Sequence, residues 1–259
     1  MFKISHEAPR GLLQHSLLFN DYDYFLIHQI QKYTEYSEFF KLSKTLKRTQ
    51  ILDNSAYELK ESFDPDIFME TVRELEPSEY VIPDCFNDSD RNLEMFDDWM
   101  SKDSNDGIKI AVLHGKSIDD FMKAYRHFDR YENVKIAFNF AENFYSEIGE
   151  GDRSLGRERV IRELLNSGII NTSRKHHLLG CYSVYDFLPY TDMPFIDTID
   201  TSNPVVSALE NLSYPRYEKP KTCVDDYQDS EITAGAMGNV MAYTRIFRDV
   251  LGGSRGSRV

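Results

Sequence analysis

The sequence has little of what would place it outside a cell or inside a bilayer. Its 259 residues include three cysteines, Cys85, Cys181 and Cys223, which are far apart and form no CxxC pair. An odd, scattered set argues against a disulfide framework and against a structural zinc knot. No segment approaches the roughly 18 apolar residues that span a membrane. The opening MFKISHEAPRGLL holds no long apolar run, so it does not read as a signal peptide. Positive charge is also short. Lys and Arg number 30 against 43 Asp and Glu, for a formal net charge of −13. That excludes a protein that coats nucleic acid by bulk charge, and it leaves room for an enzyme with a local basic lip. No GxGxxG follows an apolar run and no P-loop is present, so a Rossmann reading has no support. The expectation is a cytoplasmic protein with no membrane partner, no metal and no cofactor.

What is present is a core and a rhythm. Hydrophobic residues make up 41% and charged residues 28%, enough apolar material for one large domain. Short apolar runs ending in polar residues recur: YFLIH at 24–28, QILD at 50–53, YVIPD at 80–84, IKIAVLH at 108–114, VKIAFN at 134–139, HLLGC at 177–181 and FIDTID at 195–200. Amphipathic stretches separate them, at 29–47, 64–76, 88–101, 117–131, 153–167 and 230–251. Asp64-Pro65 is a cap followed by a first-turn proline. Continuous apolar strands alternating with helices imply a parallel sheet covered on both faces. The pattern predicts an α/β fold, a single-domain (β/α)8 barrel over 1–251 with a flexible tail at 252–259. The eighth strand is expected near 217–224.

In such a barrel the chemistry sits at the C-terminal ends of the strands. Those ends carry Asp53, Asp84, His114 with Gly115, Asn139, Gly180 with Cys181, and Asp200. Each aspartate alone reads equally as a helix cap or a turn residue. Three carboxylates facing one pocket can instead divide roles, because burial and repulsion push their pKa values apart. Tyr57 is either a stacking ring or rim packing, and His114 either a ligand contact or a loop histidine. His176 and His177 are neighbours on a strand and point to opposite faces, so they do not share a metal.

The order of these features resembles the tRNA-guanine transglycosylase superfamily, including its short phage-type relatives that insert 7-deazaguanine bases into DNA. Asp53-Asn54-Ser55-Ala56-Tyr57-Glu58 is similar to that family's Asp-Ser-Gly-Gly-Tyr/Phe-Gln segment, and Ile82-Pro83-Asp84-Cys85 to its Phe-Asp-Glu-Cys. His114-Gly115 stands where the family has Gln-Gly. Leu179-Gly180-Cys181-Tyr182 resembles its Gly-Gly strand end. The stretch from Asp197 to Pro204 repeats the Asp and Pro spacing of its nucleophile motif. The departures are the lost glutamine, Val205-Val206 in place of Thr-Arg, and the lack of the family's cysteine-rich zinc site.

The resemblance implies base exchange in nucleic acid, DNA rather than tRNA, with a free 7-deazaguanine base as co-substrate. It makes Asp200 the nucleophile on the sugar and Asp53 either the acid/base partner or a group that holds the base. Asp84 would take the guanine edge and Tyr57 would stack on the purine. Ser55, His114, Gly115, Asn139, Gly180 and Cys181 would complete the base pocket. A duplex substrate would have to flip its base out. Arg157, Arg159 and Lys175 lie in an arginine-bearing stretch that reads as a phosphate-binding lip, or as a solvated helix face paired with Glu158 and Glu163. A hydrolase with the same residues and a catalytically inactive binding barrel remain open as alternatives.

Overall fold

The protein is described from a computed structural model, which covers residues 2–215, 227–230 and 232–253. Eight parallel strands form one sheet: β1 (Lys3–His6), β2 (Asp23–Leu26), β3 (Gln50–Asp53), β4 (Glu79–Val81), β5 (Ile108–Leu113), β6 (Val134–Phe138), β7 (His176–Leu179) and β8 (Ile196–Thr201). Their order is β1-β8-β7-β6-β5-β4-β3-β2. At the seam, Asp21 ties the segment before β2 to β1: its N–H donates to Ile4 O at 2.8 Å, and its carboxylate accepts from Ile4 N at 2.9 Å. The sheet is thus a (β/α)8 barrel, as the alternation of runs predicts.

Strand alternation fills the barrel interior. Tyr22, Ile51, Val81, Ile110, Val112 and Ala137 pack there as one buried cluster. Lower in the barrel, buried Lys135 pairs with Glu79 and lies 3.4 Å from Thr198 Oγ1. A larger cluster, including Phe68, Trp99, Phe121, Phe128 and Leu164, joins the outer strand faces to the helices. The helices begin where local chemistry dictates. Asp64 accepts from Asp66 N and Ile67 N ahead of helix Pro65–Leu75. Ser117 accepts from Asp120 N ahead of Ile118–Phe128, and Asp152 from Ser154 N ahead of Arg153–Asn166.

Two boundaries differ from the sequence expectation. The remaining strand of the barrel is β1 at Lys3–His6, which pairs Ser5 with Asp200 along β8. The stretch 217–224 lies outside the described residues. The last helix, Ala234–Gly253, takes in Gly252 and Gly253, which the sequence expectation gave to the tail, and 254–259 lie outside the described residues. Among the described residues no helix is long and apolar enough to cross a membrane.

Candidate active site at the barrel mouth

β3, β4 and β8 deliver Asp53, Asp84 and Asp200 to one cavity of about 140 Å³ at the C-terminal end of the barrel. A cavity of roughly 150 Å³ is enough to hold a benzene ring. Tyr57, Phe86, Phe140 and Tyr182 supply aromatic walls, with the Phe140 and Tyr182 rings edge to face at 4.4 Å.

Asp53 ends β3. Its Oδ2 accepts from the Tyr24 hydroxyl at 2.6 Å and its Oδ1 from Ser55 N at 2.6 Å. Ser55 makes that second bond from a left-handed conformation, φ 60°. Burial pushes the Asp53 carboxyl up to about 7, helped by the nearby charges of Asp84 and Asp200, while the two donors work to lower it. Tyr24, pushed well above its ordinary value by burial and by Asp53, stays a hydroxyl donor.

Asp200 is held from two sides. His177 Nε2 donates to Oδ1 at 3.1 Å, and Gly180 N donates to the same oxygen at 3.3 Å. Thr198 Oγ1 lies 2.8 Å from His177 Nδ1 and orients the ring, which stacks on Tyr24 at 6.1 Å. Gly180 adopts φ +70°, a region that disfavours side chains, so the glycine lets its N–H face Asp200. Asp84 accepts from Asn54 Nδ2 at 2.8 Å and from His114 Nε2 at 2.6 Å.

Asn139, Gly180, Cys181 and Tyr57 also line the cavity. Cys181 Sγ lies 3.0 Å from Thr201 Oγ1, and burial pushes its thiol well up, so it is no nucleophile. Three expected contacts stand behind the wall instead. Ser55 is buried and serves Asp53. His114 is buried behind Asp84. Gly115 packs on the next helix, where an added Cβ would come within 2.8 Å of Asp120 and 3.0 Å of Phe121. His176 and His177 do point apart: His176 Nε2 meets Tyr125 Oη at 2.8 Å on the outer side.

The expected phosphate lip does not form. Arg157 is fully buried. Its Nη1 donates to Gly180 O at 3.0 Å, and its guanidinium lies 4.8 Å from the Phe140 ring centre. Arg159 faces outward and pairs with Glu150 at 3.0 Å. Lys175 precedes β7 and so sits at the opposite end of the barrel, exposed and 3.9 Å from Asp197. Helical periodicity turns neighbours in sequence to different sides. Around the cavity, Glu7, Asp53, Glu58, Asp84 and Asp200 face a single lining cation, Arg153, among the described residues. Arg153 donates to Tyr182 Oη at 3.3 Å and to Ser146 Oγ at 3.1 Å.

Sequence reasoning missed Tyr24 and Glu142. Tyr24 lies inside a run whose end was read at His28, whereas β2 stops at Leu26. Glu142 follows β6 by several residues, and nothing in its spacing marks it. No three His, Cys, Asp or Glu side chains among the described residues are grouped to hold a metal ion. No protein-family model matches the chain, and no curated protein matches it in sequence.

Proposed function

We propose that the protein is a base-exchange transglycosylase that replaces guanine in nucleic acid, DNA rather than tRNA, with a 7-deazaguanine base. The observation that carries this reading is the meeting of Asp53, Asp84 and Asp200 on one ring-sized, aromatic-walled cavity. With Oδ1 occupied by His177 and Gly180, Asp200 has Oδ2 for attack on the sugar C1′. The new C1′–O bond forms as the C1′–N bond to guanine breaks, and the departing base takes a proton from Asp53. Asp53, near pH 7, is suited to give that proton and then to take one from the incoming base. The deprotonated base attacks C1′ and the Asp200–sugar bond breaks, which splits one displacement into two. Asp84 accepts hydrogen bonds from the base edge, and the aromatic walls cover its faces.

The test is incubation with radiolabelled guanine and either duplex DNA or tRNA. Label incorporated into polymer supports the exchange. A second reading is favoured by the acidic lining, which suits an uncharged substrate better than a polyanion: hydrolysis of a free purine nucleoside, in which water resolves the Asp200 adduct. Free base released from a nucleoside, with no label entering either polymer, would establish that second reading.

A further inference from the structure

Asp84 does not face the cavity alone. Behind it His114 is completely buried, with both ring nitrogens on carboxylates: Nε2 donates to Asp84 Oδ2 at 2.6 Å and Nδ1 donates to Glu142 Oε1. Glu142 is fixed in turn. Asn139 Nδ2 donates to its Oε1 at 3.0 Å, and Asn139 Oδ1 accepts the Glu142 N–H at 3.1 Å. Phe86 closes the remaining side, its ring edge-on to the imidazole at 5.0 Å. The charged groups facing His114 are therefore Asp84 from the loop after β4 and Glu142 from the loop after β6, with neutral Asn139 and Phe86 beside them. Burial works to lower the His114 pKa, but the two carboxylates prevail and raise it to about 9. It is an imidazolium at neutral pH, with no nitrogen left for a ligand. The family resemblance put a base contact at this position, and the geometry gives it another task.

We infer that His114 is a positioning residue that locks Asp84 as an acceptor-only group, so that the cavity selects a planar base whose edge presents two adjacent N–H donors. The inference rests on the base-exchange reading and narrows it. Each Asp84 oxygen already holds one protein donor, from Asn54 and His114. A carboxylate oxygen accepts two, so one acceptor position on each oxygen remains. A lactam N–H beside an exocyclic amine fills both positions. Hypoxanthine offers one donor and leaves an acceptor unpaired. Adenine sets a ring nitrogen lone pair against a carboxylate lone pair, which repels. Without the imidazolium, Asp84 Oδ2 would lose its buried donor, and the carboxylate would be free to turn its acceptors away from the paired donors of the edge.

The experiment is equilibrium dialysis of radiolabelled guanine, hypoxanthine and adenine against wild type, His114→Gln and Glu142→Gln, alongside 15N NMR of the imidazoles. Wild type should prefer guanine over hypoxanthine by roughly 10- to 100-fold, the value of a hydrogen bond to a charged group. In both variants that preference should fall to within about threefold. The NMR should show both His114 nitrogens protonated in wild type at pH 7.5. Wild-type affinity should fall towards pH 9 by a limb that His114→Gln lacks, which separates it from titration of the base. If His114→Gln does not fold, Glu142→Gln, which removes the charge holding the imidazolium, gives the same readout. Guanine binding with unchanged selectivity in the variants, or a neutral His114 at pH 7.5, overturns the lock and leaves base binding standing. Binding of none of the three bases overturns the base-exchange reading and the selected edge with it.

Discussion

Tyr24 donates its hydroxyl to Asp53 Oδ2 at 2.6 Å, linking the rims of β2 and β3 inside the cavity. The bond favours the ionised carboxylate, against burial and against the charges of Asp84 and Asp200. Without it the carboxyl would hold its proton to higher pH. The kcat/KM profile of the wild type should inflect near pH 7. In Tyr24→Phe the inflection should move upward, and in Asp53→Asn it should vanish. A Tyr24→Phe profile superimposable on wild type would remove Asp53 from the acid–base role.

If Asp200 is the nucleophile proposed above, Asp200→Asn should lower turnover by roughly 10³-fold or more. The fold and guanine affinity should persist, since β8 keeps its pairing with β1 and β7. A denaturing gel checks this directly: wild type should trap a protein–nucleic acid adduct and Asp200→Asn should trap none. Full turnover in Asp200→Asn would remove Asp200 as the nucleophile, and a wild type that neither turns over nor traps an adduct would point to an inactive binding barrel.

Arg157 separates stability from positioning. Its guanidinium bonds Gly180 O, while its Nε and Nη2 have no hydrogen-bond partner among the described residues. Replacing a buried charge by an apolar side chain of similar volume is often near neutral. Arg157→Met should therefore fold with stability within about 1 kcal/mol of wild type. Its turnover should still fall, because the Gly180 N–H that holds Asp200 is no longer fixed. Arg157→Ala leaves a cavity among Phe140, Phe187 and Tyr190 and should cost about 3 kcal/mol or more in urea unfolding.

Gly180→Ala tests the same contact from the backbone side. At φ +70° a side chain costs about 1–2 kcal/mol. The added Cβ meets Phe140 at an ordinary 3.7 Å, so the loss should come from the backbone. Thermal melts should show it, with a rate loss larger than the stability loss.

Two histidines give opposite pH dependences of stability. His114 is raised to about 9, above the 6.5 of an unfolded histidine. Its contribution is fully present below pH 6.5 and is lost as pH rises through 9. His6 is lowered to about 3 by burial and by Arg248. Its contribution is present above pH 6.5 and is lost as pH falls towards 3. Urea unfolding from pH 4 to 9.5 should show the difference between wild type and His114→Gln shrinking above pH 6.5. The difference for His6→Phe should change only below it.

The carboxylates were legible because each Asp closes an apolar run in the sequence, whether it ends the strand, as Asp53 does, or lies in the loop beyond it, as Asp84 does. Lys3–His6 was not legible. KISH opens on a charge and is too short for a period, and it becomes a strand only because β8 offers it a ladder. The arginine stretch misled because proximity in sequence says nothing about which side of a helix a residue takes. The Arg153–Asn166 helix sends Arg157 under Gly180 and Arg159 out to Glu150. The Glu142–His114–Asp84 chain joins loops after three different strands, and no local pattern could have shown it.

The pairing of Ser5 with Asp200 has a consequence in time. Among the strands β1 precedes its ladder partner β8 by all the others of the sheet, and until β8 follows only the segment around Asp21 can hold it. Tyr22, in the segment leading into β2, likewise waits for Ile199, 177 residues on, before its hydroxyl finds a carbonyl. Contacts so distant in sequence form slowly. On refolding, the helical signal should return first and turnover last, because the strand that carries Asp200 is seated only when the earliest residues come home.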